Sequence, residues 1–129
     1  KENGGPLLIN ARAESSAEKP AFKAACRTRR CIIPASGFYE WTRLDDGTKL
    51  PWYIQRRDAA LIAFGAIWQD WADDEGVVAA TVAIVTTGAN DAMGKIHHRI
   101  PVLLEPDDWA LSLRDDGRGA AQRNRATGE

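Results

Sequence analysis

The chain has 129 residues, 44% hydrophobic and 27% charged, with 17 basic against 18 acidic residues and a net charge of −1. This describes one soluble globular domain with enough chain to bury a core. The balanced charge gives no overall nucleic-acid signal, and no apolar run approaches the roughly 20 residues needed to span a bilayer. Two cysteines, Cys26 and Cys31, are too few for a disulfide framework and point to a reduced, cytoplasmic setting.

In chain order, residues 6–14 ("PLLINARAE") begin apolar and extended, then turn polar. Residues 15–26 are predicted as a short helix, capped by Ser15 or Ser16, with Glu18 and Pro20 in its first turn. Two β-rich runs follow, "RCIIPA" and "SGFYEWTRL", the second after a glycine. The Asp-Gly turn in "DDGTK" and the run "LPWYIQR" then make residues 38–56 a hairpin. "AALIAFGAIWQDW" alternates so weakly that burial on both faces is expected. Beyond the polar connection "DDEGVV", the run "ATVAIVTTGA" is the clearest strand. "NDAMGKIH" reads as a helical loop capped by Asn90 or Asp91. "RIPVLLEP" reads as the last strand, and "PDDWALSLRDD" as a helix opened by Pro106. Residues 114–129 are polar, without apolar periodicity, and read as a mobile tail. The order of elements predicts an α+β domain, mainly antiparallel sheet.

Glu40 in "GFYEW" has aromatic residues or glycine for every near neighbour. Period 2 sets Phe38 and Glu40 on one face, with Tyr39 and Trp41 on the other. A carboxylate among aromatic rings suits proton transfer near neutrality, although an exposed residue on a hairpin edge fits the same pattern. The only histidines, His97 and His98, are adjacent. On an extended backbone they point to opposite sides, which argues against a shared metal, and Cys26 and Cys31 have no matching second pair for zinc. One inward histidine could serve as an acid–base group or as a satisfied structural residue.

Asn10 and Arg12 share a strand face in "INAR", with Glu14 two further on. An amide beside a guanidinium suits an oxyanion such as phosphate, and equally an ordinary polar face. The arginines of "CRTRRC" and "QRR" form two basic blocks. Ser36 lies outside any G-x-S-x-G elbow, and there is no P-loop or G-x-G-x-x-G.

Together, "LINARAES", "RRCIIPASGFYEW", "PWYI" and "KIHHRIPVLL", in this order, resemble the SRAP (SOS response-associated peptidase) family, from about Pro6 to about Leu113. Residues 1–113 would then be a partial SRAP-like domain. The resemblance implies a mainly antiparallel, barrel-like fold with a few peripheral helices. It implies recognition of abasic sites in single-stranded DNA, and a covalent link to them with no cofactor or metal. In that family an N-terminal cysteine traps the ring-opened sugar aldehyde as a thiazolidine through its amine and thiol. It also removes the residues that precede it.

Carried over by motif, Asn10 resembles the asparagine that hydrogen-bonds the crosslink, Glu40 the catalytic glutamate near the amine, and His97 the histidine that assists proton transfer. Arg12 and Arg99 resemble DNA-contacting arginines, Arg99 with a structural alternative, and His98 falls where the family varies. The opening Met-Cys-Gly-Arg motif does not occur in this sequence. The expectation is therefore a chain that does not crosslink by itself and exposes some hydrophobic surface. The alternatives are a non-catalytic single-stranded DNA-binding module that keeps Asn10, Arg12 and the arginine blocks, and a chelator-sensitive hydrolase using His97.

Overall fold

The computed structural model describes residues 8–114. Its main sheet has the order β1 (Asn10–Arg12), β6 (Val78–Gly88), β5 (Ile62–Ala72) and β2 (Arg30–Ala35), with β7 (Arg99–Pro101) joined to β6. β3 (Phe38–Arg43) and β4 (Lys49–Ile54) form a separate two-stranded sheet. The short helices are α1 (Lys23–Thr28), α2 (Asp91–Gly94) and α3 (Trp109–Leu113), the last preceded by a 3-10 turn at Pro106–Asp108. All strand pairings are antiparallel except β1 with β6, which is parallel. No helix among the described residues is long and apolar enough to cross a membrane.

The predicted α+β class and antiparallel bias hold, but the sheet does not close into a barrel among the described residues. β2 pairs only with β5, β1 only with β6, and the β3–β4 hairpin with neither. The predicted hairpin is present, its strands in register from Phe38↔Ile54 to Arg43↔Lys49. Its turn includes Gly47 at φ +85°, in the left-handed region that glycine enters without a Cβ penalty.

The helix predicted over 15–26 is displaced. Ser15 and Ser16 both donate their N–H to the Arg12 carbonyl, at 3.2 and 2.8 Å, and so close a tight turn. Ser16 is buried there and caps nothing. Pro20, which has no N–H and crowds the preceding turn, keeps the chain irregular, and α1 starts only at Lys23. Asn90, by contrast, caps α2 as predicted, its side chain accepting from the Met93 N–H. The helix predicted from Pro106 opens as the 3-10 turn and runs as α-helix to Leu113. The tail beyond Arg114 lies outside the described residues.

The last predicted strand is the most informative departure. Only Arg99–Pro101 pair with β6 as a strand. Residues 102–104 then wedge between β6 and the start of β5. The Val102 N–H donates to the Val85 carbonyl, the Gly65 N–H to the Val102 carbonyl, and the Leu104 N–H to the Ala63 carbonyl, each at 2.8–2.9 Å. Gly65 packs directly against both side chains, and a Cβ there would sit in ordinary contact, 3.5 Å from Val102 and 3.6 Å from Leu104.

The wedge brings Val102 and Leu104 into contact with Ala63, and Ala13, Ile32 and Val85 pack around them. A second cluster, Ala11, Phe22, Ala25, Cys26, Ile67 and Ala83, lies under α1. Each large aliphatic or aromatic side chain there contributes on the order of 1.5–3 kcal/mol by leaving water. β5 is buried on both faces from Ile62 to Ile67, as its weak alternation predicts, and opens to solvent beyond. The hairpin remains largely uncovered: Tyr39, Trp41, Trp52 and Tyr53 are all exposed.

Gly37, at the entrance to the hairpin, has no room for a side chain: a Cβ would meet the Ile54 carbonyl oxygen and the Tyr53 ring at 2.6 Å. Gly37→Ala should cost about 1–3 kcal/mol, since backbone must shift. Thermal or urea unfolding checks this, and an unchanged midpoint would contradict it.

Candidate functional site

β1 pairs in parallel with the end of β6, placing Asn10 opposite Ile84 and Arg12 opposite Thr86. Ala11, between them, turns the other way into the core. Asn10 and Arg12 therefore share the opposite face, where they line a cleft of about 600 Å³ with Ile84 and Thr86.

The hairpin forms the facing wall. Along β3, half-buried Phe38, Glu40 and Thr42 alternate with exposed Tyr39, Trp41 and Arg43. Phe38 stacks edge-on against Phe64 of β5, ring centroids 5.5 Å apart. Thr42 supplies the second attachment. Its hydroxyl donates to the Ile96 carbonyl at 3.0 Å and accepts from the Trp52 indole N–H at 3.0 Å. Glu40 lies between these two attachments, and it lines the cleft.

The third wall is the loop from α2 to β7. Its ends are joined where the Ala89 N–H donates to the His98 carbonyl at 3.0 Å. His97 enters the cleft with Nδ1 facing the Arg99 backbone, 3.1 Å from its nitrogen and 2.9 Å from its carbonyl oxygen. With the proton on Nδ1, the ring donates to that carbonyl and Nε2 is a base. With the proton on Nε2, Nδ1 accepts the amide and Nε2 is a donor. Both tautomers leave Nε2 as the working atom.

The cleft thus gathers Asn10, Arg12, Glu40, His97 and Arg99, all five residues singled out from the sequence. Asn10, Arg12 and Glu40 make no side-chain hydrogen bond or ion pair among the described residues. Arg99 differs. It forms a two-pronged pair with Glu14 at 3.0 Å on each arm, and it also donates to the Thr86 carbonyl and hydroxyl at 2.9 and 3.0 Å. The guanidinium holds the Glu14 carboxyl below its ordinary range, the hydrogen bond being the largest cause. Of its two expected roles, this geometry is the structural one.

His97 and His98 do not point to opposite sides. The backbone there is irregular rather than extended, and the rings stack with centroids 4.5 Å apart. No group of three or more metal-binding side chains occurs among the described residues. Lys19 and Phe22 also line the cleft and were not singled out. Both lie in the segment predicted as helix, and Pro20 was the signal that this segment would turn back instead.

The arginine blocks lie elsewhere. Buried Arg30 donates to the Ser112 and Cys26 carbonyls at 2.7 and 3.0 Å, tying α3 and α1 to β2. Arg29 donates to the Trp68 carbonyl and lies over its ring. Arg56 pairs with Asp58 and Glu105, drawing the Asp58 carboxyl down to about 2.

The model of the SOS response associated peptidase family matches residues 1–127. The chain belongs to the SRAP family. It is 46% identical to the abasic site processing protein YoaM of Bacillus subtilis over 106 residues, 82% of this chain and 47% of the relative. It is 36% identical to YedK of Escherichia coli over 114 residues, 88% and 50% of the two. A solved structure of a protein from Bacteroides thetaiotaomicron superposes with a TM-score of 0.81 at 30% identity, covering 90% of this chain and 52% of that one. This SRAP chain spans about half the length of the curated relatives it matches.

Two outcomes test the geometry. Thr42→Val should cost about 0.5–1.5 kcal/mol, because it removes the part-buried bond to Ile96, while the exposed Trp52 N–H passes to water. Unfolding with and without the change measures it. Glu14 titrates lower when folded than unfolded, so its pairing stabilises fully above the ordinary carboxylate range and is lost as pH falls through the lowered value. Since Glu14 is partly exposed, Glu14→Gln should cost at most about 1 kcal/mol at neutral pH. The two proteins should converge in stability in acid. A difference that persists well below the carboxylate range would contradict the assignment.

Proposed function

We propose that this chain carries the binding and proton-transfer part of a site that processes abasic sites in single-stranded DNA. The observation that supports this is the convergence of Asn10, Arg12, Glu40 and His97, from separate segments, on one cleft, with Asn10, Arg12 and Glu40 unpaired. A structural ion network would have satisfied those groups. An open amide, guanidinium and carboxylate facing solvent space are ready for a ligand. Abasic site processing is also what its relatives are named for.

In this reading Arg12 holds a backbone phosphate, and Asn10 donates its amide to the opened sugar. Condensation of an amine with the aldehyde requires loss of water, which needs a proton delivered to the departing oxygen. It also requires a base for the amine's protons. Glu40 takes the amine side and His97 Nε2 the sugar side. Addition of the neighbouring thiol to the C=N bond then closes a thiazolidine without any change of oxidation state. The sequence's own cysteines cannot supply that thiol: Cys26 is in the core, Cys31 is in β2, and neither lines the cleft. Both are free thiols, in keeping with a reduced cytoplasm. A non-catalytic single-strand binder would have to rest on Asn10 and Arg12 more than on the arginine blocks, because Arg29, Arg30 and Arg56 are committed to intramolecular contacts; its binding would ignore the lesion.

Free cysteine, which carries both amine and thiol, can serve as the nucleophile for these residues. The chain should accelerate thiazolidine formation between free cysteine and a single-stranded oligonucleotide with one abasic site. Glu40→Gln or His97→Ala should each remove about 10- to 100-fold of that acceleration. Without free cysteine, denaturing gels should show no adduct. A denaturation-stable adduct formed by the chain alone, or unaltered rates in both variants, would reject the assignment.

A further inference from the structure

Glu40 and His97 line not one hollow but two. Besides the cleft with Asn10 and Arg12, a second hollow of about 560 Å³ lies on the turn side of the hairpin, lined by both residues and by Trp41, Arg43, Lys49, Gly94, Ile96 and His98. The hollows meet at the proposed proton-transfer pair, so a ligand seated at that pair continues into either.

The second hollow, like the cleft, is lined by more basic than acidic residues. Glu40 is the only acidic residue lining it, against Arg43 and Lys49. Those two are exact cross-strand neighbours in register, and neither makes an ion pair or side-chain hydrogen bond among the described residues. Like charges directly opposite across a hairpin weaken it. The nearby Asp46 does not relieve them, since its carboxylate is held by Thr48 through bonds of 2.9 and 2.6 Å from the N–H and hydroxyl. Arg30, Arg56 and Arg99, by contrast, have partners. Here two cations are kept adjacent and unpaired at the mouth of the site. Arg43 lies three residues of strand from Glu40, about 10 Å, and by the strand's alternation on its exposed face, so it meets a strand passing the hairpin end rather than the group reacting at Glu40.

We infer that this second hollow is a phosphate subsite. Arg43 and Lys49 grip the backbone of the single strand on one side of the lesion, while Arg12 holds it on the other. The inference rests on the single-stranded DNA reading above. It adds that the strand passes across the hairpin end, past the Glu40–His97 pair, rather than stopping in the cleft.

The test is fluorescence anisotropy of a labelled abasic-site oligonucleotide with the full chain, across a salt series. Arg43→Ala with Lys49→Ala should weaken binding about tenfold or more at low salt and flatten the dependence of log K on log salt by about 1.4, the contribution of two phosphate contacts on a single strand. The preference for abasic over intact strand should be unchanged. The exchanged pair, Arg43→Lys with Lys49→Arg, should bind as the parent does. Of two shorter oligonucleotides, each lacking the nucleotides on one side of the lesion, one should bind the parent and the double alanine variant equally. If the parent binds and the double alanine variant matches it in affinity and slope, the subsite is overturned and the wider reading stands. If the parent binds no single-stranded DNA, both fall.

Discussion

A single hydroxyl group joins the two halves of this site. Thr42 accepts from the Trp52 indole within its own hairpin and donates to the Ile96 carbonyl, the residue before His97. No backbone ladder connects the hairpin to the main sheet. The distance between a carboxylate on β3 and an imidazole on the loop before β7 therefore depends on this bridge and on the edge-on packing of Phe38 against Phe64. The loop is held from its other side by the wedge of residues 102–104 between β5 and β6. The wedge has a core function, burying Val102 and Leu104. It also holds the chain that carries His97 and Arg99 against β6, so packing and site geometry share the same residues.

The charged residues divide between two tasks. Arg30 ties two helices to a strand, Arg99 locks Glu14 beside β6, and Arg56 closes a surface loop. Each donates to fixed acceptors, and a guanidinium so held offers little to a phosphate. Arg12, Arg43 and Lys49 have no such commitments among the described residues, and all three border the Glu40–His97 pair. Arginine density along the chain is therefore a poor guide to where an anion would bind. In the two densest runs, Arg29, Arg30 and Arg56 serve to hold the fold together.

Legibility in the sequence followed the range of the interaction. The hairpin was readable because its period and its Asp-Gly turn are local, and the faces of β1 and β3 followed from strict alternation. The site residues came from motif resemblance, and the fold then brought them to one cleft. Nothing in their local patterns could do so, because Asn10, Glu40 and His97 meet only through tertiary pairing. The parallel partnership of β1 with β6 was not legible for the same reason. Residues 15–26 misled because alanines and serines satisfied helix rules while Pro20, and the pull of the Arg12 carbonyl on two successive amides, decided otherwise. The stacked histidines were misjudged because the opposite-sides argument assumed an extended backbone, which the loop does not adopt. The Arg43–Lys49 pair was within reach of the hairpin register, which alone sets them opposite each other.

The isolation of the hairpin has a further meaning. The strands of the main sheet open only with the loss of long ladders and two apolar clusters. The hairpin parts from them for the loss of one hydroxyl bridge and one ring contact among the interactions described. Local opening draws on the weakest connections first, so the site comes apart at a lower free energy than the domain that carries it. The described residues then have two levels of attachment: a main sheet held by ladders and apolar clusters, and a site wall held to it by one hydroxyl bridge and one ring contact.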